Sequence, residues 1–186
     1  NLYGGCGLDM YGGTITGGGV GVYVDAGCTF KMYGGAITGN KGCGVHMVAG
    51  TFKMSGGAIT GNNAAKNGGG VAVNGTFTMS GGEITGNTAS GYGDGGGVYV
   101  NYDGTFQMSD DSRITGNTGY RGGGVSVERS YSTTNNPGAF TMSSGRITDN
   151  NAQYGGGVYI SGNFTMSGGE ISSNKATGNS GGVHMN

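Results

Sequence analysis

The chain has 186 residues, 48 of them glycine, with nine Lys and Arg against ten Asp and Glu and a formal net charge of −1. So weak a field excludes a nucleic-acid-binding face or a polybasic membrane patch, and no apolar run approaches the roughly 20 residues of a membrane span. Glycine avoids a strict three-residue period and proline occurs once, which excludes collagen, while a plain longer period excludes a disordered low-complexity chain.

Taken in order, the chain is seven copies of one unit. Leu8, Met10 and Ile15 open the first copy, followed by Val22 and Val24. Phe30, Met32 and Ile37 open the second, with Val45 and Met47; Phe52, Met54 and Ile59 the third, with Val71 and Val73. Phe77, Met79 and Ile84 lead to Val98 and Val100; Phe106, Met108 and Ile114 to Val125 and Val127. Phe140, Met142 and Ile147 lead to Val158 and Ile160, and Phe164, Met166 and Ile171 to Val183 and Met185.

Each copy holds short alternating segments, Phe-x-Met, a strand about Ile and Val-x-Val, separated by glycine pairs and Thr-Gly-Asn turns. Successive isoleucines are 22, 22, 25, 30, 33 and 24 residues apart, and no helical apolar period spans even two turns. This predicts an all-β, single-domain (1–186) parallel β-helix of about seven rungs, three strands each, right-handed by the usual chirality of parallel crossovers. Val, Phe, Met and Ile should face inward, and their neighbours water. The variable turns are 64–67 and 88–94 after Ile and 128–138 after Val; the last, with Pro137, is the expected local recognition loop.

Both ends of the sequence lie at nearly the same phase of the repeat, and neither carries a charged or proline cap. That reads equally as a segment of a longer array and as head-to-tail stacking, in which Leu2, Tyr3, Cys6, Leu8 and Met10 would meet Val183, His184 and Met185. The partner would then be the chain itself, with surface glycans or a host surface as further partners. Cys6 and Cys28 are one 22-residue period apart and are candidates for a disulfide between adjacent rungs; Cys43 is left over. Asn40, Asn62, Asn87, Asn117, Asn150 and Asn174 each follow Ile by three residues and should form a stacked amide ladder.

No cofactor signature is found. His46 and His184 share an outward position in distant rungs, and the GGG runs lack a phosphate-loop context. Catalytic chemistry has one alternative candidate, the acidic cluster Glu83, Asp110 and Asp111 beside Arg113, in which a polysaccharide lyase or hydrolase could be sought. Its competing reading is a charge-balanced surface ladder beside a one-residue bulge. Outward threonines, as at Thr76 and Thr78, resemble ice-binding arrays, but Lys31, Lys53 and Gln107 interrupt any regular lattice.

GGAITGN at 34–40 and 56–62, GGGVYV at 95–100 and GGGVY at 155–159 resemble the glycine-rich β-helix repeats of large bacterial surface proteins. They are also similar to the GGA-I repeats of chlamydial polymorphic outer membrane protein adhesins. The resemblance implies an extracellular or cell-surface location and a non-enzymatic structural role, as the shaft of an adhesin or a filament unit.

Overall fold

A glycine pair or a Thr-Gly-Asn turn after every three or four residues leaves no strand long enough to fold back on its neighbour. The computed structural model, which describes residues 5–186, is accordingly all-β and parallel, with each turn of chain laid on the one before. Three seven-stranded sheets run the length of the coil. The Phe–Met sheet contains Gly7–Met10, Thr29–Met32, Thr51–Met54, Thr76–Met79, Thr105–Met108, Ala139–Met142 and Asn163–Met166. The Ile sheet runs from Thr14–Thr16 to Glu170–Ser172, and the Val sheet from Val22–Val24 to Val183–Met185. The chain is thus a β-solenoid of about seven turns.

Register is what unites the stack. Leu8, Phe30, Phe52, Phe77, Phe106, Phe140 and Phe164 pair position for position, as do the methionines from Met10 to Met166. The six phenylalanine rings form one pile, with centroids 4.7–4.9 Å apart and planes within 15° of parallel. That spacing is the inter-strand distance of a sheet, so the rings stack because the backbone does. Ile and Val ladders close the other two walls, and the interior side chains of the middle rungs are 0–1% exposed.

Close packing leaves no room beside the second glycine of the pairs that have a rung below them, from Gly35 to Gly169. At Gly82, with φ of +81°, an added Cβ would lie 2.7 Å from Met54 Cε and 2.8 Å from the Gly57 carbonyl oxygen. Glycine recurs there because a methyl group would strike the methionine ladder; Ser112 takes the place only in the rung that carries the extra residue.

Two expectations need correction. The segments after Ile are more than lengthened turns: Asn63–Ala64 pairs with Thr88–Ala89, bridges join Thr88 to Thr118 and Thr118 to Asn151, and Asn151–Tyr154 pairs with Lys175–Asn179. They make a fourth, partial ladder, a wing that begins at the third rung. This wing lies over the outer face of the Val sheet, so several residues expected to meet water are covered. Ala72 is 8%, Ser126 1% and Tyr159 5% exposed. The rung at 109–112 also differs from a strand bulge. Asp110 adopts a φ of +53° and absorbs the extra residue within the turn, leaving the Met and Ile registers intact on both sides. Ser112 turns inward, where its hydroxyl donates to the Ser109 and Met79 carbonyls.

Candidate functional site

The asparagine column sits inside the coil. Asn62, Asn87, Asn117 and Asn150 are at most 1% exposed. In each rung the backbone N–H and the amide Nδ2 both donate to Oδ1 of the next asparagine; Asn87 does so to Asn117 at 2.9 and 3.0 Å. Nδ2 also donates back to the preceding isoleucine carbonyl, as from Asn87 to Ile59 at 2.9 Å. The motif recurs from Asn40 to Asn174. A buried chain of amides with its donors and acceptors matched serves folding and offers nothing to a soluble ligand. The first rung has Gly18 in this place, whose N–H donates to Asn40 Oδ1.

The structure joins Cys6 to Cys28 across adjacent rungs, with Cα atoms 4.5 Å apart. Leu8, Val183 and Met185 lie on end rungs and are 45%, 37% and 80% exposed, whereas Met10 is buried. His184 stacks on Tyr159 at 5.2 Å, and His46 on Tyr23 at the same distance. Leu2 and Tyr3 lie outside the described residues.

Glu83, Arg113, Arg146 and Glu170 stack in that order on the Ile sheet. Arg146 Nε reaches Glu170 Oε2 at 3.7 Å, and the two arginines are direct neighbours. Asp110 and Asp111 share a shallow depression with Arg113 and Arg146, while Glu83 lines a different one. The three carboxylates therefore do not converge. Among the described residues no group of three or more His, Cys, Asp or Glu is placed to hold a metal ion.

The arrangement that sequence reasoning missed lies on the outer face of the Val sheet. Its outward column reads Tyr23, His46, Ala72, Tyr99, Ser126, Tyr159 and His184, in register throughout. Ala72 interrupts the rings at the rung where the wing starts. A cavity of about 510 Å³ opens at this step. Its floor is the small apolar cluster Cys43, Ala64 and Ala72. His46 and Tyr99 stand on either side, and Lys41, Lys66, Asn67, Asn74 and Asn101 are its polar lining.

Electrostatics separate the floor from the rim. Burial pushes the Cys43 thiol up to about 11, so it stays protonated and donates to the Asn67 carbonyl at 3.5 Å. Burial lowers the proton affinity of His46 and, with the neighbouring Glu128 and Asp94 charges, raises that of the Tyr99 phenol. Both rings are therefore neutral at physiological pH. Neither Lys41 nor Lys66 has a carboxylate within ion-pair distance among the described residues. Asn74 Oδ1 is the buried side-chain oxygen left without a partner among them. Just beyond, Asn67 Oδ1 accepts from the Asp94 backbone N–H, and Asp94 Oδ1 accepts from that of Arg121, pinning the wing rung to rung.

The one signal available beforehand was the single small residue in an otherwise ring-bearing stretch of column, at the first rung with an insertion. No helix of the described residues is long and apolar enough to cross a membrane. Comparison with family models, with curated proteins and with solved structures finds nothing that matches this chain.

Proposed function

We propose that this chain is a structural β-solenoid of the cell surface or extracellular space, a non-enzymatic shaft that lengthens by stacking rung on rung. The observation that carries the reading is the unbroken register of all three sheets up to both end rungs. Strands Gly7–Met10 and Asn163–Met166 each pair on one side among the described residues, and Met166 is 44% exposed where its counterparts in the middle are buried. A rung whose apolar ladder is buried by the rung beside it accepts a further rung in the same register, from this chain or another, and a contact of this kind does not close on itself. The Cys6–Cys28 disulfide supports an oxidising compartment.

The amide ladder sets how good such a junction is. A rung with asparagine in the column continues it beyond Asn174. A second copy of this chain would place Gly18 there, continuing the β-ladders while leaving the Asn174 amide donors to water. The test is electron microscopy and sedimentation of the 186-residue chain at high concentration. Rods with a rung-spaced repeat are expected, more abundant for Gly18→Asn and scarce for Met166→Lys with Met185→Lys. A chain that stays monomeric in all three forms removes the stacking reading.

A further inference from the structure

The cavity at the start of the wing has the features of a ligand site that the shaft does not need. Ala72 is flanked in register by His46 below and Tyr99 above, so the two rings lie two rungs apart, about 9.5 Å at the sheet spacing. Elsewhere in the column rings on adjacent rungs stack at one rung spacing, Tyr23 on His46 and Tyr159 on His184, each at 5.2 Å, while Ser126 stands between Tyr99 and Tyr159. Ala64 and the insertion cover Ala72 to 8% exposure, so one six-membered ring would enter from the cavity that His46, Ala72 and Tyr99 line and stand one rung spacing from each wall. The volume falls in the range of small-molecule sites, and the floor of Cys43, Ala64 and Ala72 is apolar.

The rim specifies the rest of the ligand. Asn74 and Asn101 both line the cavity, and Asn74 Oδ1 is buried without a hydrogen-bond partner among the described residues. A turn of that amide toward the cavity gives a hydroxyl donor the acceptor it needs. Lys41 and Lys66 bring two ammonium groups, and no Asp or Glu lines the cavity. The occupant should therefore have an apolar ring face for stacking, hydroxyls for the amides and a negative charge for the lysines.

We propose that the pocket over Ala72 binds a carboxylated pyranose, a uronic- or sialic-type sugar unit of an acidic glycan. Its ring packs between His46 and Tyr99, its hydroxyls meet Asn74 and Asn101, and its carboxylate faces Lys41 and Lys66. A flat aromatic acid would satisfy the rings and lysines but leave the amides unmatched, and a neutral sugar would leave the lysines unmatched. The site is on the flank of the coil, so its occupancy does not depend on stacking at the ends.

The experiment is calorimetric titration of the chain with a tetragalacturonate, sialyllactose, the neutral lactose core and 4-hydroxyphenylacetate, at low and moderate salt. At least one acidic sugar should bind, tenfold or more tighter than lactose and the aromatic acid, and more weakly as salt rises. Ala72→Tyr puts a ring where the ligand ring would sit, in a column that already carries tyrosine in three other rungs, and should abolish binding; because Ala72 packs on Cys43 and Ala64, its melting temperature is measured alongside. Lys41→Gln with Lys66→Gln, both exposed, should weaken acidic-sugar binding five- to tenfold and remove its salt dependence. No binding by either acidic sugar, preference for the aromatic acid, or binding unchanged in Ala72→Tyr would each overturn the proposal. Should Ala72→Tyr fail to fold, the lysine pair decides it: unchanged affinity and salt dependence overturn the site.

Discussion

The inner asparagine column and the outer column of the Val sheet share one period and one rung spacing, yet they hold different information. Inside, six rungs carry the same residue, and each amide is bonded to the next, as Asn62 is to Asn87 through both N–H and Nδ2 at 3.0 and 2.9 Å. Outside, the residue changes from rung to rung: ring, ring, alanine, ring, serine. An interior position must match its neighbours above and below, so one residue type spreads along the column. An outer position is free to differ, and the wing uses that freedom to cover some rungs and leave a step at Ala72.

Breaking the inner column should cost most. Asn87→Ala leaves the buried N–H and Nδ2 of Asn62 without their acceptor, and a loss of about 2–6 kcal/mol is expected at 1–3 kcal/mol per orphaned group. Urea unfolding measures it, and a loss below 1 kcal/mol would show the ladder to be incidental. Next is Gly82→Ala, where positive φ and the Met54 methyl both oppose a side chain; about 2–3 kcal/mol is expected by the same measurement.

The wing supplies a smaller, pH-dependent term. Burial, outweighing the opposing charge of Arg121, lifts the Asp94 carboxyl from 3.8 to about 6. The folded state then holds a proton that the unfolded state has lost, so stability falls as pH rises from about 4 to 6, and the loss is complete above that window. The expected fall is on the order of 1–3 kcal/mol, and in Asp94→Asn this part of the pH dependence disappears. A wild-type chain equally stable at pH 4 and pH 7 would refute it. The smallest effect is at the turn glycine before the asparagine, which Asp149 replaces at a φ of +58°. Asp149→Gly should stabilise by a few tenths to about 1 kcal/mol, read as a small rise in melting temperature.

The Phe77-x-Met79, Ile84 and Val71-x-Val73 positions were legible in the sequence because stacking demands like on like, and a repeat writes that demand out seven times. The register of the three sheets and the place of the asparagines follow from the same rule. The wing was hidden for the opposite reason. Its segments repeat only Asn-x-Ala, with Ala64 paired to Ala89 and Ala152 to Ala176 two residues after the column asparagine, and one small residue per rung is too short a pattern to announce a strand. Glu83, Asp110 and Asp111 were legible as charges, but whether they converged depended on a turn whose geometry Asp110 decides.

By itself the sequence determined the coil: which residues face inward, how the rungs register and how the turns close, since each is a local requirement repeated along the chain. Tertiary structure alone decided the outer surface. Lys41 and Lys66, in different rungs and on loops of different length, reach one rim only because the third rung lies on the second and its insertion lies across Ala72. That adjacency comes from stacking and loop path, which carry no periodic mark in the residues themselves.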